Sequence, residues 1–255
     1  MIVEETIDKL LQLHLKVMAQ AVRELLASPE FRAMPFEDAL ALIVDREWTD
    51  RQNRRLVARI KHAKLGINAC VEDVFSNPGR GIDKAMIRTL GGGGWIRAKQ
   101  NVIVIGATGT GKSFIGAALA HAACRAGHKA LRTRVPRLLQ ELAVARADGT
   151  YVDRLNSLAQ VHVLVLDDFL VSPLKDSERR DLLEVLEDRY DKSSTVITSQ
   201  VPTKSWHETL ADPTVADAIC DRTVHNAHVL SLKGPSIRKT KGLGADSTKG
   251  LNSEG

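Results

Sequence analysis

Residues 102–113 read VIVIGATGTGKS, and this run constrains the fold more than any other part of the chain. Four apolar β-formers, Val102 to Ile105, lead into a loop containing Gly106, Gly109 and Gly111, followed by Lys112 and Ser113. A loop so rich in glycine loses much chain entropy on folding, so its backbone conformation must serve a purpose. Gly106 to Ser113 fit G-x-x-x-x-G-K-[ST], in which a tight turn aims successive backbone N–H groups at a phosphate. The candidate nucleotide-binding residues are therefore Gly106, Thr108, Gly109, Thr110, Gly111, Lys112 and Ser113. Lys112 is placed to reach the terminal phosphates, and the Ser113 hydroxyl is placed to sit on Mg²⁺. The helix expected from residue 112 to about 126 would add its positive N-terminus to the same site.

Beyond Gly94 the pattern alternates between strands and helices, which predicts a parallel sheet covered on both faces. Strands are expected at 102–105, 129–133, 161–166, 195–198 and 228–232. Helices are expected at 112–126, 136–147, 176–190 and, with breaks, 203–220. The preceding part reads as helical. A stripe of Ile7, Leu10, Leu11, Val17, Met18, Val22, Leu25 and Leu26 predicts one helix over 6–26. A second helical stretch begins near Phe36 and runs to Leu65, before Gly66. The expected organisation is a helical N-terminal domain over 1–75, a candidate for DNA or partner binding. A linker over 76–100 follows, with a short helix from Ile82 to Leu90 and a flexible joint at the four glycines 91–94. The ATPase domain is expected over 101–240, and a Gly- and Ser-rich disordered tail over 241–255.

The segment VHVLVLDDF at 161–169 is a buried strand ending in two carboxylates. With a phosphate loop upstream, Asp167 is the candidate for the Mg²⁺ shell. Asp168 is the candidate to orient or deprotonate an attacking water, which points to hydrolysis. The strand TVITSQ at 195–200 ends in polar residues. In many P-loop ATPases such a strand inserts between the acidic strand and the P-loop strand, so Gln200 or Ser199 is expected beside the γ-phosphate.

The chain has 255 residues, 44% hydrophobic and 26% charged, with a net charge of +5. That mild basic excess permits an anionic partner. Cys70, Cys124 and Cys220 are odd in number and far apart. They suggest reduced thiols in a cytoplasmic protein rather than disulfides or a zinc site. The acidic N-terminus does not resemble a signal peptide, and no apolar run approaches membrane-spanning length. No guanine-reading N-K-x-D and no transporter-type L-S-G-G-Q segment occurs.

The remaining features resemble an AAA+ ATPase. More narrowly, the chain is similar to the IstB family of ATP-dependent transposase helpers, which are relatives of the DnaC helicase loaders. The resemblance spans roughly residues 5–240. It is carried by GATGTGKS, LVLDDF, VITSQVPTKSWHE, DPTVADAICDRTVHNAHVLSLKG and GPSIRK. It implies an ATP and Mg²⁺ site that bridges subunits of a homo-oligomer formed with ATP. It also implies that Arg222 is an arginine finger offered to a neighbour, and that Arg238 is a second sensing arginine. Asp167-Asp168 stands where most AAA+ proteins have Asp-Glu, which implies slow turnover. The usual helical lid is expected to be absent. The resemblance further implies duplex DNA and a transposase as partners.

The segment 46–64 carries seven Lys/Arg against two acids. On a helix, Arg51, Arg55 and Arg59 fall at i, i+4 and i+8 beside Arg54. Such a stripe can follow a DNA backbone with little base readout. Trp48 falls near the same stripe if the helix is continuous. Arg132, Arg134 and Arg137 form a second basic group that could face an assembly channel. Lys233, Arg238, Lys239 and Lys241 form a third. Three functions compete: an ATPase helper of a transposase on duplex DNA, a helicase loader on single-stranded DNA, and a small-molecule P-loop kinase. The kinase is the weakest, because the sequence has no spare segment for an acceptor pocket and lid.

Overall fold

The computed structural model describes residues 2–29, 34–74 and 81–236. Two compact units divide between Ala58 and Arg59. That division lies earlier than the boundary expected after residue 75, and it falls within a helix.

The first unit holds α1 (Ile2–Gln12), α2 (Lys16–Ala27) and most of α3 (Phe36–Ala63). The single helix expected over 6–26 is therefore two. They break at His14, whose φ of 59° no helix can continue through. The break moves the buried positions to Ile7, Ala19 and Ala21, and leaves Leu11 and Leu26 exposed. Buried Glu47 of α3 caps the start of α2, accepting the Val17 and Met18 N–H groups at 3.1 Å each. These are among the orphan donors that a helix N-terminus must satisfy. The Glu47 carboxyl is held below its ordinary range. Burial pushes it up, but Arg51 and the Val17 and Met18 amides outweigh burial. The helix α3 runs unbroken through Trp48, which is exposed.

The second unit begins with the last turn of α3. It continues through α4 (Val71–Val74), α5 (Lys84–Gly91) and α6 (Gly94–Arg97). Asp83 caps α5 by accepting the Ala85 and Met86 N–H groups at 2.8 and 3.3 Å. The four glycines are not a flexible joint. Gly91 closes α5, Gly93 turns the chain at φ 71°, and Gly94 opens α6. Trp95 then folds back, buried, with its indole N–H on the Leu90 carbonyl at 2.8 Å.

The core is a five-stranded, all-parallel sheet. Its strands are β1 (Asn101–Gly106), β2 (Ala130–Arg134), β3 (Val163–Phe169), β4 (Ser194–Ser199) and β5 (Ala227–Leu232). They lie in the order β2-β3-β4-β1-β5, so β4 sits between the acidic strand and the P-loop strand as expected. All five expected strands form, with ends shifted by at most three residues. The largest shift extends β3 to Phe169, which brings both aspartates into the strand.

Alternate residues serve opposite faces. Ile103, Leu164, Leu166 and Ile197 pack against α8 (Val135–Asp148), α9 (Tyr151–Ala159), α10 (Asp176–Arg189), α11 (Trp206–Leu210) and α12 (Pro213–Val224). On the other face α7 (Lys112–Arg125) lies close to the sheet. A Cβ on Gly116 would stand 3.1 Å from Val165 and 3.2 Å from Thr198, so that approach needs glycine. The helix α9 was not expected from the sequence. At the other end of the sheet, fully buried Arg189 ties α9 to the starts of β3 and β4. Its donors go to the carbonyls of Leu158, Val161 and Ser194 at 2.6, 2.9 and 2.5 Å.

Candidate nucleotide site

The site forms where β1, β3 and β4 end. The loop after β1 takes left-handed conformations at Gly109, φ 82°, and Gly111, φ 104°. Both are conformations that glycine adopts without strain. The loop is braced from within, because Thr110 Oγ1 donates to the Ala107 carbonyl at 2.8 Å. Lys112 is buried, and its Nζ donates to the same carbonyl at 2.9 Å. Burial lowers the Lys112 ammonium below its ordinary value, while Asp168 and Asp167 pull it back up. The lysine is thus held inside the loop beside two carboxylates.

Asp167 is the hub. Ser113 Oγ donates to its Oδ1 at 2.9 Å, and Thr198 Oγ1 makes a short hydrogen bond to the same oxygen. Its Oδ2 pairs with the guanidinium of Arg132. A hydroxyl and a carboxylate oxygen converging here form a hard-oxygen donor set, which fits Mg²⁺.

Asp168 sits in a bulge, where the β3–β4 register shifts between Leu166 and Phe169. Its φ of 59° turns its side chain away from the line of the strand. Thr198 Oγ1 accepts the Asp168 N–H at 3.3 Å, and Arg134 Nε donates to Asp168 Oδ2 at 2.7 Å.

At the tip of β4, Gln200 Oε1 accepts from Thr108 in the loop at 2.8 Å. Ser199, the expected alternative, is committed elsewhere. Its hydroxyl is buried, donates to the Phe169 carbonyl at 2.8 Å and accepts the Val201 N–H at 3.1 Å. Buried Trp206 completes this support. Its indole N–H holds the Val201 carbonyl at 2.9 Å, and its ring lies 4.6 Å from that of Phe169. Tryptophan within the WHE signature thus fixes the turn that carries Gln200.

One expectation changes. Arg132, Arg134 and Arg137 do not form a free basic group, because they pair with Asp167, Asp168 and Glu141. Along α3 the arginines are also engaged. Arg51 pairs with Glu47, Arg54 with Asp50, and Arg59 donates to the Cys124 carbonyl at 2.9 Å. Of the four, Arg55 and Arg59 make no ion pair among the described residues. Arg222 pairs with Glu187, which raises its guanidinium pKa further. Thr198 and Trp206 carry roles that strand-end polarity and a family signature alone did not assign. Arg238, Lys239 and Lys241 lie outside the described residues, as does the expected tail over 241–255. Ser236, the last residue described before them, lies against the loop. A Cβ on Gly109 would stand 2.1 Å from its Oγ.

The family model for IstB-like ATP-binding proteins matches residues 8–245. The chain belongs to the IstB-like family. It is 45% identical to the insertion sequence ATP-binding protein y4pL of Sinorhizobium fredii, over 94% of this chain and 98% of that protein. It is 42% identical to the insertion sequence IS1162 ATP-binding protein of Pseudomonas fluorescens, over 80% of this chain and 89% of that protein. Among solved structures, the DnaC helicase loader superposes with a TM-score of 0.54 at 19% identity, covering 67% of this chain and all of the other. That likeness carries the AAA+ fold. ATP binding follows from the IstB-like family, and the loop geometry supplies its physical basis.

Cys70, Cys124 and Cys220 are free thiols. Among the described residues, no helix is long and apolar enough to cross a membrane.

Proposed function

We propose that this IstB-like protein hydrolyses ATP with Mg²⁺ in the cytoplasm, assembles with ATP on duplex DNA, and recruits or stimulates a partner transposase. The observation that carries hydrolysis is the pairing of two adjacent carboxylates with separate surroundings. Asp167 faces Ser113 and Thr198, while Asp168 is turned out of the strand. Ser113 and Asp167 would hold the Mg²⁺, which when bound neutralises phosphate charge. Lys112 grips the terminal phosphates, and Asp168 accepts the proton of the attacking water. Gln200, fixed by the Trp206 turn, orients that water. Arg238 is the proposed second sensing arginine.

Assembly is supported by where Arg222 stands. Its carbonyl is held by Asn101 Nδ2 at 3.0 Å, at the start of β1. The phosphate loop follows the far end of that strand, roughly 15–20 Å away. An arginine side chain cannot span that distance, so Arg222 is out of reach of its own subunit's phosphates, in keeping with a role in trans. Lys112→Ala protein should lose tight ATP binding, because a charge-assisted contact to the phosphates is removed. Equilibrium titration with a fluorescent ATP analogue checks this, and unchanged affinity in folded protein would reject the role.

The helical N-terminal part, expected over 1–75, is the proposed DNA- and partner-binding domain. The proposed DNA contacts are Arg51, Arg54, Arg55 and Arg59. The Arg54–Asp50 pair is exposed on both sides and weak, so a phosphate can replace that carboxylate. Replacing all four with alanine should weaken duplex binding across sequences and flatten its salt dependence, with ATP binding retained. Affinity measured at several salt concentrations, with ATP and with ADP, tests this. Wild-type affinity and slope in the mutant would remove α3 as the DNA site. Preference for single strands over duplex in the same assay would favour the helicase-loader reading. That alternative draws on the fold shared with the DnaC helicase loader.

A further inference from the structure

Arg132 joins two places that the proposed chemistry does not connect. One terminal nitrogen pairs with Asp167 Oδ2. The other, Nη1, donates to the Leu65 carbonyl at 2.7 Å. The remaining nitrogen, Nε, is buried and has no hydrogen-bond partner among the described residues, where these two oxygens hold the guanidinium. Gly66, with φ of 65°, lets the chain pass close by, since a Cβ there would stand 3.3 Å from Nη1.

Leu65 follows directly on α3. The last turn of that helix is anchored in the second unit, with Ala63 fully buried and Leu65 7% exposed. Arg59 adds a bond to the Cys124 carbonyl, near the end of the helix that Lys112 begins. Between these anchors Lys61, His62 and Lys64 are exposed. A guanidinium is a rigid planar fork, so a shift at one nitrogen displaces the other. A divalent cation on Asp167 would draw off the charge that holds Arg132.

We propose that Arg132 is a positioning residue that couples Asp167 to the end of α3, so that a magnesium nucleotide at Asp167 is felt at residues 61–69. This rests on the reading of Asp167 as a Mg²⁺-shell residue.

Amide hydrogen exchange on the full chain tests it, with ATP plus Mg²⁺ compared against ATP plus a chelator. In wild type, exchange over 61–69 should change by about five-fold or more, the lower end of typical coupling. Arg132→Gln should bind Mg²⁺-ATP, verified with a fluorescent analogue, yet show no change over 61–69. Arg132→Lys should be equally silent, because a single ammonium point charge does not reproduce the planar fork. A wild-type-sized response in Arg132→Gln overturns the coupling, as does silence at 61–69 in wild type that binds Mg²⁺-ATP. Equal ATP affinity in wild type with Mg²⁺ and with chelator would remove the role of Asp167 itself, and the coupling with it.

Discussion

Asp168→Asn protein should bind ATP normally and hydrolyse it about 10²- to 10⁴-fold more slowly, the usual contribution of a general base. The amide is nearly the same size as the carboxylate but cannot accept the proton of the attacking water. The surroundings of Asp168 make the substitution clean. Its backbone is held in the bulge by Thr198, which is untouched. Its side-chain partner, Arg134, is itself 65% exposed and is rehydrated when the pair is lost. Binding depends on Lys112 and the loop backbone, which the change does not reach. ATP-dependent assemblies should therefore persist longer than those of wild type. Single-turnover hydrolysis, with nucleotide affinity measured in parallel, separates the two effects. Wild-type turnover in this variant would show that Asp168 is not the base.

Arg222→Ala protein should be nearly inactive alone, with a loss of about 10³- to 10⁵-fold if it acts as an arginine finger. Its activity should partly return on mixing with Asp168→Asn protein. Each variant lacks a different half of the shared site, so a mixed interface can pair an intact Arg222 with an intact Asp168. The position of Arg222 at the start of β1, away from the phosphate loop, makes this outcome specific to action in trans. The Arg222–Glu187 pair lies at the surface, where Glu187 is 52% exposed, so the alanine leaves no buried charge behind. The measurement is ATPase rate against mixing ratio, in protein shown to co-assemble. A rate that only falls in proportion to dilution would reject a finger acting between subunits.

The run from Val102 to Ser113 determined a strand, a phosphate loop and a helix by itself, because each is specified by neighbours in the chain. Apolar β-formers, glycines at the left-handed positions and a small-residue helix are all local properties. The same holds for the acidic strand and for the alternation that orders the parallel sheet. Much of what decides the site's chemistry was not local. Arg132 and Arg134 reach the two aspartates across 35 and 34 residues, and Thr198 reaches Asp167 across 31. Those pairs exist because β2, β3 and β4 align in one parallel register. Nothing in the immediate sequence of any single strand fixes that register. Read alone, Arg132 and Arg134 are surface cations, and Thr198 is one more strand-end hydroxyl. The turn at His14 and the bulge at Asp168 have the same origin. Both place a non-glycine residue at positive φ, which local preference opposes.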